Sequence, residues 1–288
     1  MKENLSLSGK KIFITGSTDG LGKAVAHEFA KRGGIILLHG RDPEKGQKIL
    51  EEIAGKSGNA KLSYYNCDFS SLAAVQHLAG EIISREKRID MLINNAGIGG
   101  GEKNGRRQLS ADGYELRFAV NYLAPFLLTN LLLPSLRASA PSKIVNVVSA
   151  AQKTIDFSNV MLEQGYNGSR AYAQSKMALV MFSFDLAEKL KDIGITVNCL
   201  HPASMMNTKM VRESGATYMT TVEEGVDTVD YVATSPETKT ITGAYFDHHS
   251  QEKAELQAYD KKAREKLWEL SVGLIEKKIQ FAQKSLFG

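Results

Sequence analysis

Short apolar segments alternate with helical patterns along almost the whole chain. The apolar segments are rich in β-branched residues and lie at residues 11–16, 34–40, 61–68, 89–97, 142–150, 195–203 and 241–247. Between them, apolar residues recur at the spacing of one helix face. Strands that are apolar on both sides are typical of parallel sheets covered by helices on both faces. The alternation therefore predicts an α/β fold, a doubly wound parallel sheet of about seven strands with helices on both faces.

No linker interrupts this alternation, so we expect a single domain over residues 1–250. A chain of 288 residues is long enough to bury the core of such a domain. Residues 251–288 are charged and amphipathic, with Leu267, Leu270 and Leu274 at helical spacing. We expect a C-terminal helical extension that docks on the domain, and the alternative is a helix that binds a partner.

The overall charge gives little support to a role on nucleic acids or at a membrane surface. The formal net charge is +4, and the 36 basic residues are spread along the chain rather than clustered. Cys67 and Cys199 lie in apolar surroundings, which favours buried thiols in a reducing compartment over a disulfide. We expect no metal site, because no cluster of metal-ligating residues occurs, and no nucleic-acid partner.

The N-terminal sequence, MKENLSLSGKKIFITG, lacks the apolar core of a signal peptide. No segment approaches the roughly 20 apolar residues that a membrane span requires. We therefore expect a soluble, cytoplasmic protein without a membrane span.

The loop TGSTDGLG joins the first strand to the first helix over residues 15–22. Glycines in such a turn let backbone amides and the positive helix N-terminus approach a pyrophosphate without obstruction by a Cβ atom. A glycine motif alone is weak evidence, but its position at the start of the first βαβ unit strengthens it. The predicted contacts of this loop with a dinucleotide cofactor are Gly16, Ser17, Thr18, Gly20 and Leu21.

The end of the second strand, LLHGRD, bears on the choice of cofactor. Dinucleotide folds commonly place an acidic residue there to bind the ribose hydroxyls of NAD, and here Gly40 takes that place. Arg41 follows, and a guanidinium can pair with the 2′-phosphate of NADP. We therefore favour NADP(H) over NAD(H); the alternative for Arg41 is a solvated loop charge that Asp42 partly neutralises. Asp68, which ends the third strand, is placed either to meet the adenine edge or to cap the next helix.

A Tyr and a Lys lie four residues apart in YAQSK, within a helical segment rich in apolar and small residues. At this spacing Tyr172 and Lys176 share one helix face, although both side chains are costly to desolvate. Such a pair occurs by chance in many helices, so the rest of the chain must decide whether it is catalytic.

Five motifs occur in the order and spacing of the short-chain dehydrogenase/reductase superfamily, which the sequence resembles over about residues 8–247. They are TGSTDGLG, NNAG at residues 94–97, Asn121 in FAVNYLAPFLLT, Ser149 in IVNVVSA, and YAQSK. Segments such as CDFSSL and YVATSPETKTITGAYF look most like the retinol-dehydrogenase-like branch. The resemblance implies a Rossmann-type fold and hydride exchange between a nicotinamide C4 and a carbonyl or alcohol carbon.

The resemblance also implies a catalytic tetrad. Tyr172 would be the general acid/base, and Lys176 would lower its pKa from the unperturbed value near 10 and bind the nicotinamide ribose. Ser149 would hold the substrate oxygen, and Asn121 would anchor a water that relays protons to Lys176. A strand-end Ser and a helix-interior Asn each have a structural explanation when taken alone. In company with the Tyr and Lys, they indicate a catalytic site.

Further cofactor contacts follow from the resemblance, namely Asp68, Phe69, Asn95, Ala96, Gly97, Pro202, Ala203 and Thr208, besides Tyr172 and Lys176. The loop after the sixth strand departs from the family pattern in two ways. The usual Pro-Gly is Pro202-Ala203 here, which adds a methyl group beside the nicotinamide. The usual Thr is replaced by Asn207, so that Thr208 reaches the carboxamide only if the loop bulges.

Substrate contacts are predicted on two segments. The loop at residues 204–221 carries Met205, Met206 and Met210, whose thioethers adapt to irregular apolar ligands. Packing of a mobile lid on the core is the alternative explanation for these methionines. The opposite wall would contain Gln152, Met161 and Tyr166. The substrate would be a small carbonyl or alcohol compound, apolar as is usual for this branch.

The favoured function is an NADP-dependent carbonyl reductase or alcohol dehydrogenase. An alternative of another class is a nucleotide-sensing regulator that keeps the fold without turnover, although such a protein would be free to lose Tyr172 or Lys176. The resemblance also implies a homodimer or homotetramer built on the helices that carry Asn121 and Tyr172. The membrane-anchoring segment of the animal enzymes is not recognised in this sequence.

Overall fold

The apolar segments form one sheet of eight strands in a computed structural model that describes residues 5–101, 105–213 and 215–280. The strands are β1 (Lys11–Ile14), β2 (Ile35–Gly40), β3 (Leu62–Asn66), β4 (Met91–Asn94), β5 (Ser142–Val147), β6 (Ile195–His201), β7 (Tyr245–Asp247) and β8 (Ser250–Glu252). Their order is β3-β2-β1-β4-β5-β6-β7-β8, and β1 to β7 run parallel. β2 pairs with one side of β1 and β4 pairs with the other side, so the strand order changes direction at β1. Such a reversal opens a ligand crevice at the carboxyl edge of the sheet.

The eighth strand departs from the predicted seven strands and from the predicted helical extension. β8 pairs antiparallel with β7, with Asp247 opposite Ser250. Between them, His248 and His249 form a two-residue turn, and His248 has a positive φ of 53°. The described part of the extension begins with a strand because this turn returns the chain along the sheet edge. β7 and β8 pair with each other although the predicted boundary at residue 250 lies within β8. The division of the chain at this residue stays a prediction.

Helices cover both faces of the sheet, which confirms the predicted doubly wound fold. In the described part of the chain they are α1 (Gly20–Lys31), α2 (Pro43–Ser57), α3 (Leu72–Glu86), α4 (Leu116–Phe118), α5 (Ala124–Arg137), α6 (Gly168–Leu190), α7 (Lys209–Glu213), α8 (Val222–Thr234) and α9 (Lys261–Glu276), with single turns at Pro236–Thr238 and Leu256–Tyr259. A π-helical segment, Ala119–Leu123, joins α4 and α5 into one continuous helix. α1, α2 and α8 pack on one face, and α3, α5, α6 and α9 on the other.

Strand β1 shows why the strands are apolar on both sides. Phe13 belongs to the core shared with α3, α5 and α6, whereas Ile12 and Ile14 belong to the core shared with α1, α2 and α8. All three side chains are fully buried. Because successive side chains of a strand point to opposite faces, a sheet covered on both faces requires a continuous apolar segment.

The continuous helix Leu116–Arg137 corrects the expectation that no segment approaches the length of a membrane span. It has 22 residues and reaches a mean hydropathy of 1.4, which is sufficient by length and composition alone. However, 89% of its apolar window is buried inside the protein. Core helices of soluble proteins pass the same test, so this helix is weak evidence for a span. Its apolar character is explained by its packing against α3 and α6.

Helix α9 packs across α5 and α6. The Trp268 ring lies edge-on to Phe126, with 4.8 Å between centroids, and 6.0 Å from the Phe182 ring. The Tyr122 hydroxyl is 2.7 Å from Ser271 Oγ. α9 thus covers part of the surface of these helices, and the expected oligomer built on them stays a prediction. Residues 281–288, the end of the predicted extension, lie outside the described residues.

Candidate active site

Two glycines of the loop between β1 and α1 lie where the fold leaves no room for a Cβ atom. Gly16 has a positive φ of 65°, and a Cβ atom there would lie 2.7 Å from Ala96 Cα. A Cβ atom at Gly22 would overlap the Gly16 carbonyl oxygen. The first amides of α1 lack partners within the helix, and the helix N-terminus carries a partial positive charge. The loop therefore fits the phosphates of a dinucleotide, which can approach its backbone closely.

Two of the predicted loop contacts, Ser17 and Leu21, are buried. Ser17 Oγ accepts the His39 backbone N–H at 2.9 Å, and Leu21 belongs to the core shared with α1 and α8. Thr18 is only partly buried and lies against Gly40. Since the Ser17 and Leu21 side chains are used inside the fold, their backbone groups would make any contact with a cofactor.

Asp19 caps α1 beside this loop and was not singled out by the sequence. One carboxylate oxygen accepts the Gly20 N–H at 2.8 Å, and the other lies 2.6 Å from Lys45 Nζ. The hydrogen bond with Lys45 holds the pKa of Asp19 below its usual range. Lys45 thereby offsets a negative charge next to the expected phosphate site. The signal in the sequence is an Asp directly before the first helical residue.

His39, also missed at the sequence level, connects the glycine loop with β2 and β3. Its Nδ1 accepts the Gly16 N–H at 3.0 Å, and its Nε2 lies 3.2 Å from the Cys67 carbonyl oxygen. The imidazole stacks on Phe69, with 4.3 Å between ring centroids, so the predicted cofactor contact Phe69 uses its ring inside the fold. Burial lowers the pKa of His39 to about 4, which leaves the ring neutral near pH 7. The signal in the sequence is a histidine inside the apolar segment IILLHG.

Arg41 is exposed at the end of β2 and available to a ligand. Within residues 5–101, 105–213 and 215–280 it forms no ion pair. The expected neutralisation by Asp42 is not observed, because the Asp42 side chain caps α2 and accepts the Lys45 N–H at 2.9 Å. A Cβ atom at Gly40 would lie 2.6 Å from Thr18 Cγ2, so this position is too crowded for an acidic side chain.

Asp68 stabilises the turn that follows β3. Its Oδ1 accepts the Ser70 N–H at 2.9 Å, whereas the N-cap of α3 is Ser71. Of the two roles expected for Asp68, capping of the next helix is therefore taken by Ser71. Contact with an adenine stays a prediction.

The segment after β4 ties this strand to the glycine loop. Asn95 Nδ2 donates to the Thr15 and Gly16 carbonyl oxygens at 2.9 and 3.2 Å. The Ala96 N–H donates to Thr15 Oγ1 at 3.0 Å. The predicted cofactor residues Asn95 and Ala96 thus hold the loop in place from the neighbouring strand.

Helix α6 places Tyr172 and Lys176 one turn apart near the carboxyl edge of the sheet. Lys176 Nζ donates to the Val147 carbonyl oxygen at 2.9 Å and lies 5.8 Å from the centre of the Tyr172 ring. Ser149 follows β5, and a hydrogen bond links its side chain with the Tyr172 phenol. The structure therefore brings three members of the predicted tetrad together.

Asn121, the fourth member, lies in the π-helical segment beside them. Its Nδ2 donates to the Ile98 carbonyl oxygen at 3.0 Å and to Ser175 Oγ at 2.9 Å. A Cβ atom at Gly97 would lie 3.2 Å from Asn121 Oδ1 and 3.3 Å from Lys176 Nζ, so both side chains border the same narrow gap. π-helical turns are frequent at functional sites. The proton relay through a water stays a prediction.

The protonation of this site differs from the expectation in one respect. Burial raises the pKa of Tyr172 above its usual value, and the hydrogen bond with Ser149 acts in the opposite direction. Burial lowers the pKa of Lys176 to about 8. The net shift of the Tyr172 pKa is therefore opposite to the expected lowering, because burial is the largest influence on the phenol. The phenol is neutral near pH 7, as a proton donor must be.

The loop after β6 meets the glycine loop. A Cβ atom at Gly20 would lie 3.4 Å from Thr208 Cγ2, so Thr208 borders the expected pyrophosphate site. The Pro202 carbonyl accepts the Thr228 hydroxyl at 2.7 Å, and Ala203 is buried. Contacts of Pro202, Ala203 and Thr208 with a nicotinamide stay predictions.

The three methionines of the lid loop, residues 204–213 and 215–221, have different surroundings. Met206 packs in the core beside Leu21 and Gly225 of α8. Met205 is 47% exposed, and Met210 is 36% exposed and lies over Gly99. The packing explanation therefore applies to Met206, and its contact with a substrate stays a prediction. Met205 and Met210 are accessible to a ligand.

The residues predicted for the opposite wall are also separated. Gln152 Nε2 donates to the Ser149 carbonyl oxygen at 3.1 Å, which places Gln152 beside the tetrad. Met161 packs against the core, and the Tyr166 hydroxyl donates to Glu115 Oε1 at 3.4 Å. Of the three, Gln152 is the residue that the geometry connects with the catalytic serine.

A cavity of about 640 Å³ opens beside Gln152 at the end of β7. Charged and polar side chains line it, among them Asp247, His248, Glu252, Lys253 and Glu255. This polar lining differs from the hydrophobic pocket that the methionines of the lid loop favour. The sequence missed it because β8 and the residues after it were expected to be helical.

The cysteines and the metal-ligating side chains of the described residues give no sign of a second site. Within the described residues, no group of three or more His, Cys, Asp and Glu side chains could hold a metal ion. Cys67 and Cys199 are free and buried, and burial raises the pKa of each thiol to about 12. Both cysteines are therefore structural thiols, as the sequence predicts.

Comparison with known proteins agrees with this geometry. A family model described as short chain dehydrogenase matches residues 10–219. Retinol dehydrogenase 13 of Homo sapiens is 36% identical in an alignment that covers 94% of this chain and 86% of that protein. Retinol dehydrogenase 14 of Homo sapiens is 35% identical, with 94% of this chain and 88% of that protein covered.

Solved structures share the fold. A crystal structure of an uncharacterized protein from Mycobacterium paratuberculosis superposes with a TM-score of 0.78 at 24% identity, covering 97% of this chain and 98% of the other. The RhlG/NADP active-site complex of Pseudomonas aeruginosa superposes with a TM-score of 0.69 at 25% identity, covering 86% of this chain and 97% of the other. The first of these similarities supports the fold alone.

Proposed function

Since the chain belongs to the short-chain dehydrogenase family, in its retinol-dehydrogenase-like branch, and is thus an oxidoreductase of alcohol and carbonyl groups, we propose that it is an NADP(H)-dependent carbonyl reductase or alcohol dehydrogenase. The observation that carries the proposal is the assembly of Ser149, Tyr172, Lys176 and Asn121 in a fold that also has a glycine loop at the N-terminus of α1. A bound nicotinamide cofactor would supply or accept the hydride.

Tyr172 acts as the proton donor to the substrate oxygen during reduction. Its phenol is neutral near pH 7 and hydrogen-bonded to Ser149, which also orients the substrate oxygen. A buried ammonium at Lys176 stabilises the negative charge that develops on the phenol as the proton leaves. Asn121 holds the Ile98 backbone next to Lys176. Through its hydrogen bond to Ser175 it also keeps the π-helical segment in register with α6.

The proposed preference for NADP(H) rests on the end of β2. Arg41 is exposed and without an ion pair in the described part of the chain, so its guanidinium can bind a 2′-phosphate. The crowding of a Cβ atom at Gly40 by Thr18 excludes the acidic side chain that would bind the ribose hydroxyls of NAD. Both features favour the phosphorylated cofactor.

The proposed substrate is a carbonyl or alcohol compound with an apolar body. Met205 and Met210 are accessible on the lid loop and suit irregular apolar groups. The cavity beside Gln152 is lined by charged side chains, so a polar end of the substrate would extend toward it. The retinol dehydrogenases to which the chain is similar support an apolar alcohol or aldehyde as the reacting group.

Cytoplasmic location and assembly into a homodimer or homotetramer are further proposals. Two free, buried cysteines favour a reducing compartment. Because α9 covers part of α5 and α6, an oligomer would use other surfaces or the uncovered part of these helices. A sensor without turnover has no observation in its favour, since Tyr172 and Lys176 are both in place.

A substrate panel tests the proposed function. The purified protein is incubated with NADPH or NADH and a series of apolar and polar aldehydes and ketones, and the oxidation of the cofactor is followed by its absorbance. We expect turnover with NADPH, faster for apolar aldehydes, and at least about tenfold weaker binding of NADH. Binding of NADPH without turnover of any compound, in either direction, would favour the sensor instead.

A further inference from the structure

Hydrogen bonds of His39 hold the glycine loop on one side and reach Cys67 on the other. The His39 backbone carbonyl accepts the Ser17 N–H at 2.9 Å, and the His39 N–H donates to Ser17 Oγ at 2.9 Å. The imidazole Nδ1 accepts the Gly16 N–H at 3.0 Å. On the far side of the ring, Nε2 reaches the Cys67 carbonyl oxygen at 3.2 Å.

The partners determine the tautomer. A backbone N–H can only donate and a backbone carbonyl can only accept, so Nδ1 is unprotonated and Nε2 carries the hydrogen. The ring is 3% exposed and stacked on Phe69, so water cannot replace either partner. Without Nδ1, the Gly16 N–H would lose its acceptor, which is costly for a partly buried donor.

The position of His39 connects the three segments expected to hold the cofactor. Gly16 and Ser17 belong to the glycine loop, Cys67 and Phe69 flank Asp68, and Arg41 follows His39 by two residues. The distance between the pyrophosphate loop and the adenine side of the site is therefore set through one side chain.

We propose that His39 is a positioning residue for the dinucleotide, which holds the Gly16 amide through Nδ1 so that the remaining loop amides face the phosphates. This inference rests on the proposed NADP(H) binding. His39 does not touch the reacting atoms, so its loss weakens cofactor binding and leaves the chemical step unchanged.

Two substitutions of His39 test the roles of the two ring nitrogens separately. His39→Asn places an amide oxygen near the position of Nδ1 and keeps an acceptor for Gly16. His39→Gln places an amide nitrogen near the position of Nε2 and keeps a donor for Cys67, but leaves Gly16 without its acceptor. Both variants lose the stacking on Phe69, so each serves as the stability control for the other.

The expected result is a difference between the variants in NADPH binding. By fluorescence titration, His39→Asn binds NADPH within about threefold of the unmodified protein, and His39→Gln binds at least about tenfold more weakly. At saturating NADPH the kcat of both variants stays within about twofold. Equal affinities of the two variants, or a fall in kcat at saturation, would overturn the proposal.

Two measurements need no cofactor. Hydrogen exchange of peptides covering the glycine loop is expected to be faster in His39→Gln than in His39→Asn, and equal exchange would contradict the role of Nδ1. Nitrogen-15 NMR of the unmodified protein is expected to show the Nε2–H tautomer at His39, and an Nδ1–H tautomer would overturn the proposal even if a variant fails to fold. If the unmodified protein does not bind NADPH, the proposed function fails, whereas these two results still decide the role of His39 in the loop.

Discussion

The cofactor side and the substrate side of the site are built differently. On the cofactor side, Gly16 donates a hydrogen bond to His39 and accepts one from Asn95, and its surroundings admit no Cβ atom. On the substrate side, Met205 and Met210 of the lid loop are exposed and the adjoining cavity has a charged lining. The cofactor side is held by hydrogen bonds, whereas the substrate side is exposed. This difference suggests one fixed cofactor and a less strictly defined substrate.

This difference makes different mutations informative on the two sides. On the cofactor side, loss of a charged or proton-donating group should change binding or turnover strongly, because such a group has no substitute. On the substrate side, a single substitution should change stability or selectivity modestly, because several side chains share the contact.

The largest effect on the cofactor side is expected for Lys176→Met, which keeps a long apolar stem but removes the ammonium. Turnover should fall at least about a hundredfold, since the charge that stabilises the ionising phenol is lost. NADPH should bind about tenfold more weakly, because the hydrogen bond expected from this charged donor to the ribose would also be lost. Steady-state kinetics and a fluorescence titration check both. Turnover within a factor of ten of the unmodified protein would contradict the role of Lys176.

Arg41→Ala is expected to weaken NADPH binding about tenfold and to leave NADH binding nearly unchanged, because a charge-assisted hydrogen bond contributes roughly 1.5–3 kcal/mol. Titration with each cofactor measures the two affinities. Lys48→Ala, an exposed charge on α2, is the matched control and should change neither affinity. Equal affinities of the unmodified protein for NADPH and NADH would refute the assignment of Arg41.

On the substrate side, Met206→Ala and Met210→Ala form a contrasting pair. Met206 packs in the core, so its truncation should lower the free energy of unfolding by about 1–2 kcal/mol with little change in KM. Met210 is accessible over Gly99, so Met210→Ala should change the free energy of unfolding by less than about 0.5 kcal/mol and alter KM for apolar substrates. Denaturant unfolding and steady-state kinetics measure the two quantities. A reversed pattern would mean that the lid loop is oriented differently.

The smallest effect is expected for Ala203→Gly, at the departure from the usual Pro-Gly. If the methyl group is merely tolerated, the variant binds NADPH at least as well, and turnover changes by no more than about threefold. A fluorescence titration measures the affinity for NADPH, and a kinetic assay measures turnover. A large loss of affinity would show that the methyl group is part of the nicotinamide site.

The sequence was sufficient for the elements whose signal is local. Strands such as β1 are apolar on both sides because both faces are covered, and the glycine at position 16 marks a turn that only a residue without Cβ can make. The tetrad was predicted because five motifs occur in the order and spacing of the short-chain dehydrogenase/reductase superfamily, which the sequence resembles.

The features that were missed depend on contacts distant in sequence. In the sequence, His39 is one polar residue in an apolar strand. Its role is visible only in the structure, where Nδ1 accepts the Gly16 N–H and Nε2 lies next to the Cys67 carbonyl oxygen. Similarly, Met206 and Met210 are four residues apart in one loop, yet one meets α8 and the other meets Gly99. Local periodicity in the sequence cannot distinguish these side chains, because the function of each depends on the distant residue that it contacts in the fold.

The most direct test of the proposed chemistry is Tyr172→Phe, which removes one oxygen and keeps the aromatic ring on α6. Because the general acid is lost, turnover should fall at least about a hundredfold, whereas NADPH binding and the melting temperature should stay close to those of the unmodified protein. Tyr231→Phe, on the opposite face of the sheet, is the control for loss of a phenol and should retain full turnover. The measurement is the steady-state reduction of an accepted carbonyl compound beside a fluorescence titration with NADPH. Turnover by Tyr172→Phe at the rate of the unmodified protein would contradict the account.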